Sequence, residues 1–172
     1  SSGKHTWAMS CAYAAQYGIE PANLVIGNAY GPGDCFDEGR SYALQGLVVR
    51  IVRAWRAGEN SVTVFGTGAP IRDWLYGDDL GDAALAAITA KTGHDPINIG
   101  SGTGISIGDL ACYIGKIVGY AGSFTFDTSR PDGAPCKVMD GRRAMTILKW
   151  KPRTALSQGL KKTIVWYLEN KK

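Results

Sequence analysis

Apolar side chains change their period repeatedly along this chain, and each change marks an element. After Ser41, residues Leu44, Leu47, Val48, Ile51, Val52 and Trp55 recur at helical spacing, predicting a helix that Gly58 ends. Ser106 and Asp109 have the spacing of a capping box, opening a helix with Ile107, Leu110, Ala111, Ile114, Ile117 and Val118 inside and Gly119 at its end. Residues 7–18 read as the end of a helix closed by Gly18, and Asp78 or Asp79 can cap another with Leu80, Ala83, Ala84, Ala87 and Ile88 on its inner face. Leu156, Leu160, Ile164 and Leu168 form one face of a last helix. Between these stand short apolar runs with strand character: Leu24 to Tyr30, Val62 to Phe65, Asp73 to Tyr76, Ile97 to Ile99 and Phe124 to Phe126. Turns are expected at GPGD (31–34), GTG (66–68) and RPDG (130–133). Helices and strands alternate without repeats or a low-complexity linker, which predicts an α/β chain forming one compact module.

Composition narrows the class. A chain of 172 residues, 45% hydrophobic and 20% charged, has enough apolar material for a packed core. No apolar run approaches the ~18 residues of a membrane span, and the first twenty residues lack a secretory layout. The expectation is a cytoplasmic protein without a membrane partner. Cys11, Cys35, Cys112 and Cys136 show no CxxC spacing and have only His5 and His94 for company, so no metal site is predicted and free thiols are expected. Charge is uneven: residues 1–136 carry nine basic and thirteen acidic side chains, and residues 137–172 ten basic and two acidic. Lys149, Lys151, Arg153, Lys161, Lys162, Lys171 and Lys172 are spaced as solvated faces, and no aromatic-interleaved basic motif points to nucleic acid.

Common catalytic signatures are missing. Neither GxGxxG nor GxxxxGK[ST] occurs, and neither histidine sits in a nucleophile pattern. GSGTG at 100–104 and the GTG turn read as structural glycines.

Several separate blocks nevertheless stand in a telling order: Asn28-Ala29-Tyr30-Gly31-Pro32-Gly33-Asp34, Arg40-Ser41, Val64-Phe65-Gly66-Thr67-Gly68, Arg72-Asp73-Trp74-Leu75-Tyr76, Asp78-Asp79-Leu80, Asn98-Ile99-Gly100 and Arg130-Pro131-Asp132-Gly133. Together they resemble the extended short-chain dehydrogenase/reductases, the NAD(P)-dependent sugar-nucleotide epimerases and dehydratases, and within them the fucose-synthase branch. The resemblance spans nearly the whole chain but matches only the C-terminal half of that family. It implies residues 1–34 as the last part of a Rossmann-type domain. Residues 35–172 would be mainly a smaller α/β substrate-binding domain, some of whose strands and helices return to the Rossmann sheet.

By the same resemblance, Asn28 lies between the NAD or NADP cofactor and the sugar nucleotide, while Arg50, Arg72 and Arg130 face the diphosphate or sugar, and Phe65 the base or sugar. Guanidinium forks suit a diphosphate because they satisfy its oxygens bidentately. The family's glycine-rich loop and catalytic tyrosine belong to the half not matched, so this chain alone is expected neither to bind the dinucleotide nor to turn over. Lys4 stands one residue out of register with the family lysine, and Ser1-Ser2-Gly3 reads as a cloning remnant. Where the fucose-synthase branch has a catalytic histidine, this chain has Tyr42, read as a packing residue at a helix start; a phenol titrates near ~10, poorly matched to neutral-pH proton transfer. The implied partners are a nucleotide-diphosphate sugar and a second chain, either another copy or one that covers the missing half. A non-catalytic binding module and a split subunit remain as alternatives.

Overall fold

A computed structural model describes residues 2–37 and 39–171. Ser1 and Lys172, read above as a remnant and a solvated charge, lie outside the described residues.

The segment expected as one strand, Leu24 to Tyr30, is two. β1 (Leu24–Ile26) runs parallel to β5 (Ile97–Ile99), and β2 (Asn28–Tyr30) runs parallel to β4 (Ile71–Tyr76). The break falls at Gly27, whose N–H still donates to the Ile99 carbonyl before the chain changes neighbour. β3 (Ser61–Phe65) pairs in parallel with β7 (Ser123–Asp127), and β4 takes β6 (Gly104–Ser106) antiparallel and β8 (Cys136–Lys137) parallel. Four of these five pairings are parallel, which requires crossovers, and the helices supply them.

α2 (Ala43–Ala57) follows the expected apolar stripe and ends at Gly58 in the left-handed region, φ 66°. It packs with α4 (Ile107–Val118), α6 (Leu156–Asn170) and β3 in a core that includes Leu44, Leu47, Val48, Ile51, Val64, Leu110, Ile114 and Leu160. Each such side chain contributes about 1.5–3 kcal/mol by leaving water. The capping box forms as expected: Ser106 Oγ accepts from the Asp109 N–H at 3.0 Å. A second core joins Leu75, Ile97 and Ile99 to Ala83 and Ala87 of α3 (Gly77–Thr89) and to Ala144 of α5 (Arg142–Ile147).

Some expectations fail for identifiable reasons. α3 is capped by Tyr76 without a side-chain bond, because the Asp79 carboxylate turns inward to accept from the N–H groups of Arg153 and Thr154 at 3.2 and 2.9 Å. Ala84 and Ile88 point to solvent rather than inward, Ile88 at 77% exposure; α3 buries only a narrow alanine stripe against the strands. Trp55 is likewise exposed, at the outer end of α2. β6, β8 and α5 had no periodic signal, being three, two and six residues long. The basic residues Lys149, Lys151, Arg153, Lys161, Lys162 and Lys171 stand in solvent.

Candidate functional site

The alternation of β3 buries Val62 and Val64 and leaves Ser61, Thr63 and Phe65 on the open face. Phe65 is therefore displayed, at 51% exposure, at the end of its strand. Arg50 reaches it from α2. Its guanidinium donates to the Thr63 carbonyl at 2.9 Å and its Nε to the Gly46 carbonyl at 3.1 Å, and its Cζ lies 4.2 Å from the centre of the Phe65 ring. Burial pushes the Arg50 guanidinium below its ordinary value, yet it remains protonated.

Arg130 approaches the same ring, with Cζ 5.0 Å from its centre. Asp127, which pairs with Phe65 in register, builds the turn that presents it: its carboxylate accepts from the Ser129 hydroxyl at 2.5 Å and N–H at 3.1 Å, and its carbonyl accepts from the Arg130 N–H. The Ser129 hydroxyl, then the Ser129 N–H and the Arg130 charge hold the Asp127 carboxyl below the usual carboxylate range. Further along, Asp132 accepts from both the N–H and the hydroxyl of Thr67 at 2.7 Å, fastening the 130–133 turn to the loop after β3. Gly66 permits this contact, since a Cβ there would overlap the Asp132 carboxylate and its φ is +80°.

Three residues singled out from the sequence thus converge, Arg50 and Arg130 against Phe65. Arg72 belongs to a different element. It sits within β4, donates to the Ile71 carbonyl at 2.8 Å, and its guanidinium abuts Gly133 and acts on Asp132.

Asn28 belongs to a second feature, a groove lined by residues 27–34, Tyr42 and Gly77. Its amide nitrogen donates to the Asp73 carbonyl at 2.9 Å. Tyr42 is no packing residue: it stands at the groove mouth, 74% exposed, where α2 begins. Tyr30, also on the groove, is buried, and that burial, followed by Tyr76, Asp79 and Tyr113, raises its phenol well above the ordinary value and keeps it protonated.

Supporting residues escaped the sequence reading. The buried Asp73 carboxylate accepts from the N–H groups of Ser101, Gly102 and Met139 and from the Ser101 hydroxyl, tying two loops to β4 under Asn28. Gln45 is fully buried on α2, donates to Asp34 of the groove, and leaves its own carbonyl oxygen without a partner. An orphaned oxygen of that kind costs about 1–3 kcal/mol. In each case the available signal was a polar residue inside an apolar pattern, Asp73 before Trp-Leu-Tyr and Gln45 between Leu44 and Leu47.

The NAD dependent epimerase/dehydratase family matches residues 4–100. The chain belongs to this family. Among curated relatives, a probable GDP-L-fucose synthase 1 of Oryza sativa subsp. japonica is 37% identical over 94% of this chain and 49% of its own length, and the GDP-L-fucose synthase of Escherichia coli K12 is 34% identical over 92% and 52%. Among solved structures, a GDP-L-fucose synthetase from Naegleria fowleri bound to NADP superposes with a TM-score of 0.86 at 26% identity, covering 96% of this chain and 53% of that one. UDP-glucose 4-epimerase from Thermotoga maritima, with UDP-glucose, gives 0.84 at 27%, covering 98% and 52%. The epimerase/dehydratase member described here spans about half the length of the relatives it matches, and its α/β architecture with parallel strands is theirs. Among the described residues no helix is long and apolar enough to cross a membrane.

The residues present fit a dinucleotide poorly. Its pyrophosphate needs a glycine-rich loop opening a helix, and the sequence contains no GxGxxG.

Proposed function

We propose that this chain is the substrate-binding portion of an NAD(P)-dependent sugar-nucleotide epimerase, dehydratase or reductase, and that by itself it holds a nucleoside-diphosphate hexose without converting it. The observation that carries the reading is the convergence of Arg50 and Arg130 on the exposed ring of Phe65. An aromatic face flanked by two guanidinium groups offers stacking to a base or sugar and charge to a diphosphate, and Arg72, whose guanidinium abuts Gly133 of the 130–133 turn, adds a third cation. Likeness to GDP-L-fucose synthases favours a GDP-linked hexose, with dTDP- and UDP-linked hexoses as the other candidates.

In this reading residues 1–34 complete a Rossmann-type domain and residues 35–172 form the substrate domain. Asn28 faces both ligands. NAD or NADP is held chiefly by the half of the family not matched here. The four free cysteines support a reducing, cytoplasmic setting, and a second chain covers the exposed apolar residues of the first helix and β1. Calorimetric titration with GDP-mannose, UDP-glucose and dTDP-glucose tests the proposal: saturable binding of at least one, lost in Arg130→Ala, supports it, and no heat with any of them refutes it.

A further inference from the structure

α3 packs its alanine stripe against the strands and turns its other side to solvent. Gly81, Leu85 and Ile88 line the middle of that outer face, four and then three residues apart, with Ala84 beside them. Leu85 is 66% and Ile88 77% exposed, and Gly81 and Ala84 are exposed as well. Single exposed apolar residues are ordinary, but Gly81 is not. It sits inside the helix without a positive φ, and a Cβ built on it would meet nothing within 4 Å. Neither the backbone nor packing within the described chain requires glycine there, and it makes the helix less favourable than alanine would. What it provides is a notch open to approach from outside.

A second copy of the same helix fits this face. Laid antiparallel about a two-fold axis midway between Ala84 and Leu85, the helices set Gly81 of each copy against Ile88 of the other, and Ala84 against Leu85, small against large at every step. The same axis brings the exposed Asp78 in the first turn of one copy beside the exposed Lys91 just past the last turn of the other. Antiparallel packing also sets the helix dipoles head to tail. A 13-residue helix is about 20 Å long. One such pair falls short of the about 1,200–2,000 Å² of a stable interface, so the contact is weak and depends on concentration.

We propose that the outer face of α3 is a self-complementary docking surface through which two copies of this chain associate as a weak antiparallel dimer, keyed by Gly81 against Ile88 and by Asp78 against Lys91. It uses none of the residues of the nucleotide-sugar reading and lies on a different element from the exposed apolar residues of the first helix and β1.

Sedimentation equilibrium tests it on the full chain carrying Tyr13→Glu and Ile26→Lys, which remove the apolar character of the first helix and β1. The expected result in that background is a monomer–dimer equilibrium. Gly81→Leu, which fills the notch, should weaken it about 10-fold or more while the denaturation midpoint holds or rises. Asp78→Lys and Lys91→Asp should each weaken it about 2- to 10-fold, and the two together should restore the starting constant. In the otherwise unchanged chain the same variants should keep the same order, so the test does not depend on the background variant folding. A chain that stays monomeric in a folded background overturns the proposal. So does a Gly81→Leu chain that associates like its parent, or a double reversal no tighter than either single one, which would assign the face to a different partner.

Discussion

At the scale of single residues, the two guanidinium groups on Phe65 are held differently. Arg50 is tied by two backbone carbonyls, so little of its side-chain freedom remains to be lost on binding, whereas the Arg130 side chain is exposed, its Nε 3.9 Å from the Asp127 carboxylate. Arg130→Ala should weaken nucleotide-sugar binding about 10- to 150-fold, the range for one charge-assisted contact, in calorimetry or fluorescence titration. Arg130→Lys should recover charge but not the planar stacking on Phe65, and so regain only part of the affinity. Asp132 provides a pH readout. The hydroxyl of Thr67, then its N–H, then the Arg72 charge hold its carboxyl below 3.8. A depressed acid stabilises the fold above its ordinary pKa and loses that contribution as pH falls through the lowered value. Carboxyl NMR should therefore find Asp132 titrating below the ordinary aspartate range, and Thr67→Val should move it back up. An ordinary titration in the wild type would contradict the Thr67–Asp132 link.

At the scale of elements, the loops after β3 are shaped by glycines whose backbones other residues cannot adopt. Gly68 has φ +77° and a Cβ there would overlap the Phe126 ring, so Gly68→Ala combines left-handed strain with overpacking. It should cost about 2 kcal/mol or more in chemical denaturation. The periodic elements were legible from the chain alone: α2, α4 and α6 show their buried stripes and β3 its alternation. Where reading failed, length or tertiary demand was the cause. β6, β8 and α5 are too short to show a period, and Asp79 left the cap of α3 because two N–H groups of the 153–154 segment needed an acceptor. The start of β4 at Ile71 rather than Asp73 follows from β6 and β8, which pair with it only in three dimensions.

At the scale of the whole molecule, the first helix, α1 (Ser2–Tyr17), and β1 define a surface that the rest of the chain leaves bare. Met9, Tyr13 and Tyr17 are exposed, and Val25 and Ile26 stand 44% and 51% exposed on a strand bonded only to β5 among the described residues. Uncovered apolar area and a free strand edge favour association, at about 25 cal/mol per Å² of apolar surface. Sedimentation should show concentration-dependent self-association, reduced by Tyr13→Glu with Ile26→Lys; a monodisperse monomer that binds no hydrophobic dye would point to a self-contained domain. Titration of the chain with NADH and with NADPH should be flat, because it contains no glycine-rich loop to hold a pyrophosphate. A micromolar constant for either would show that the cofactor is bound in another way.

From the amino-acid order alone came the α/β class, the principal helices and strands and the capping box at Ser106, which depend on local periods and local backbone preferences that a linear chain displays. The side chains proposed to meet a diphosphate sugar came from family resemblance. Which of those side chains meet was decided only in three dimensions. Arg50 and Arg130 are 80 positions apart and converge on Phe65 because β3 and β7 pair in register and α2 packs across β3. The inward turns of Asp73, Asp79 and Gln45 belong to the same class. A buried polar group must find its partners wherever the fold brings them, and those partners lie 28 to 75 residues away for the two aspartates and 11 for the glutamine.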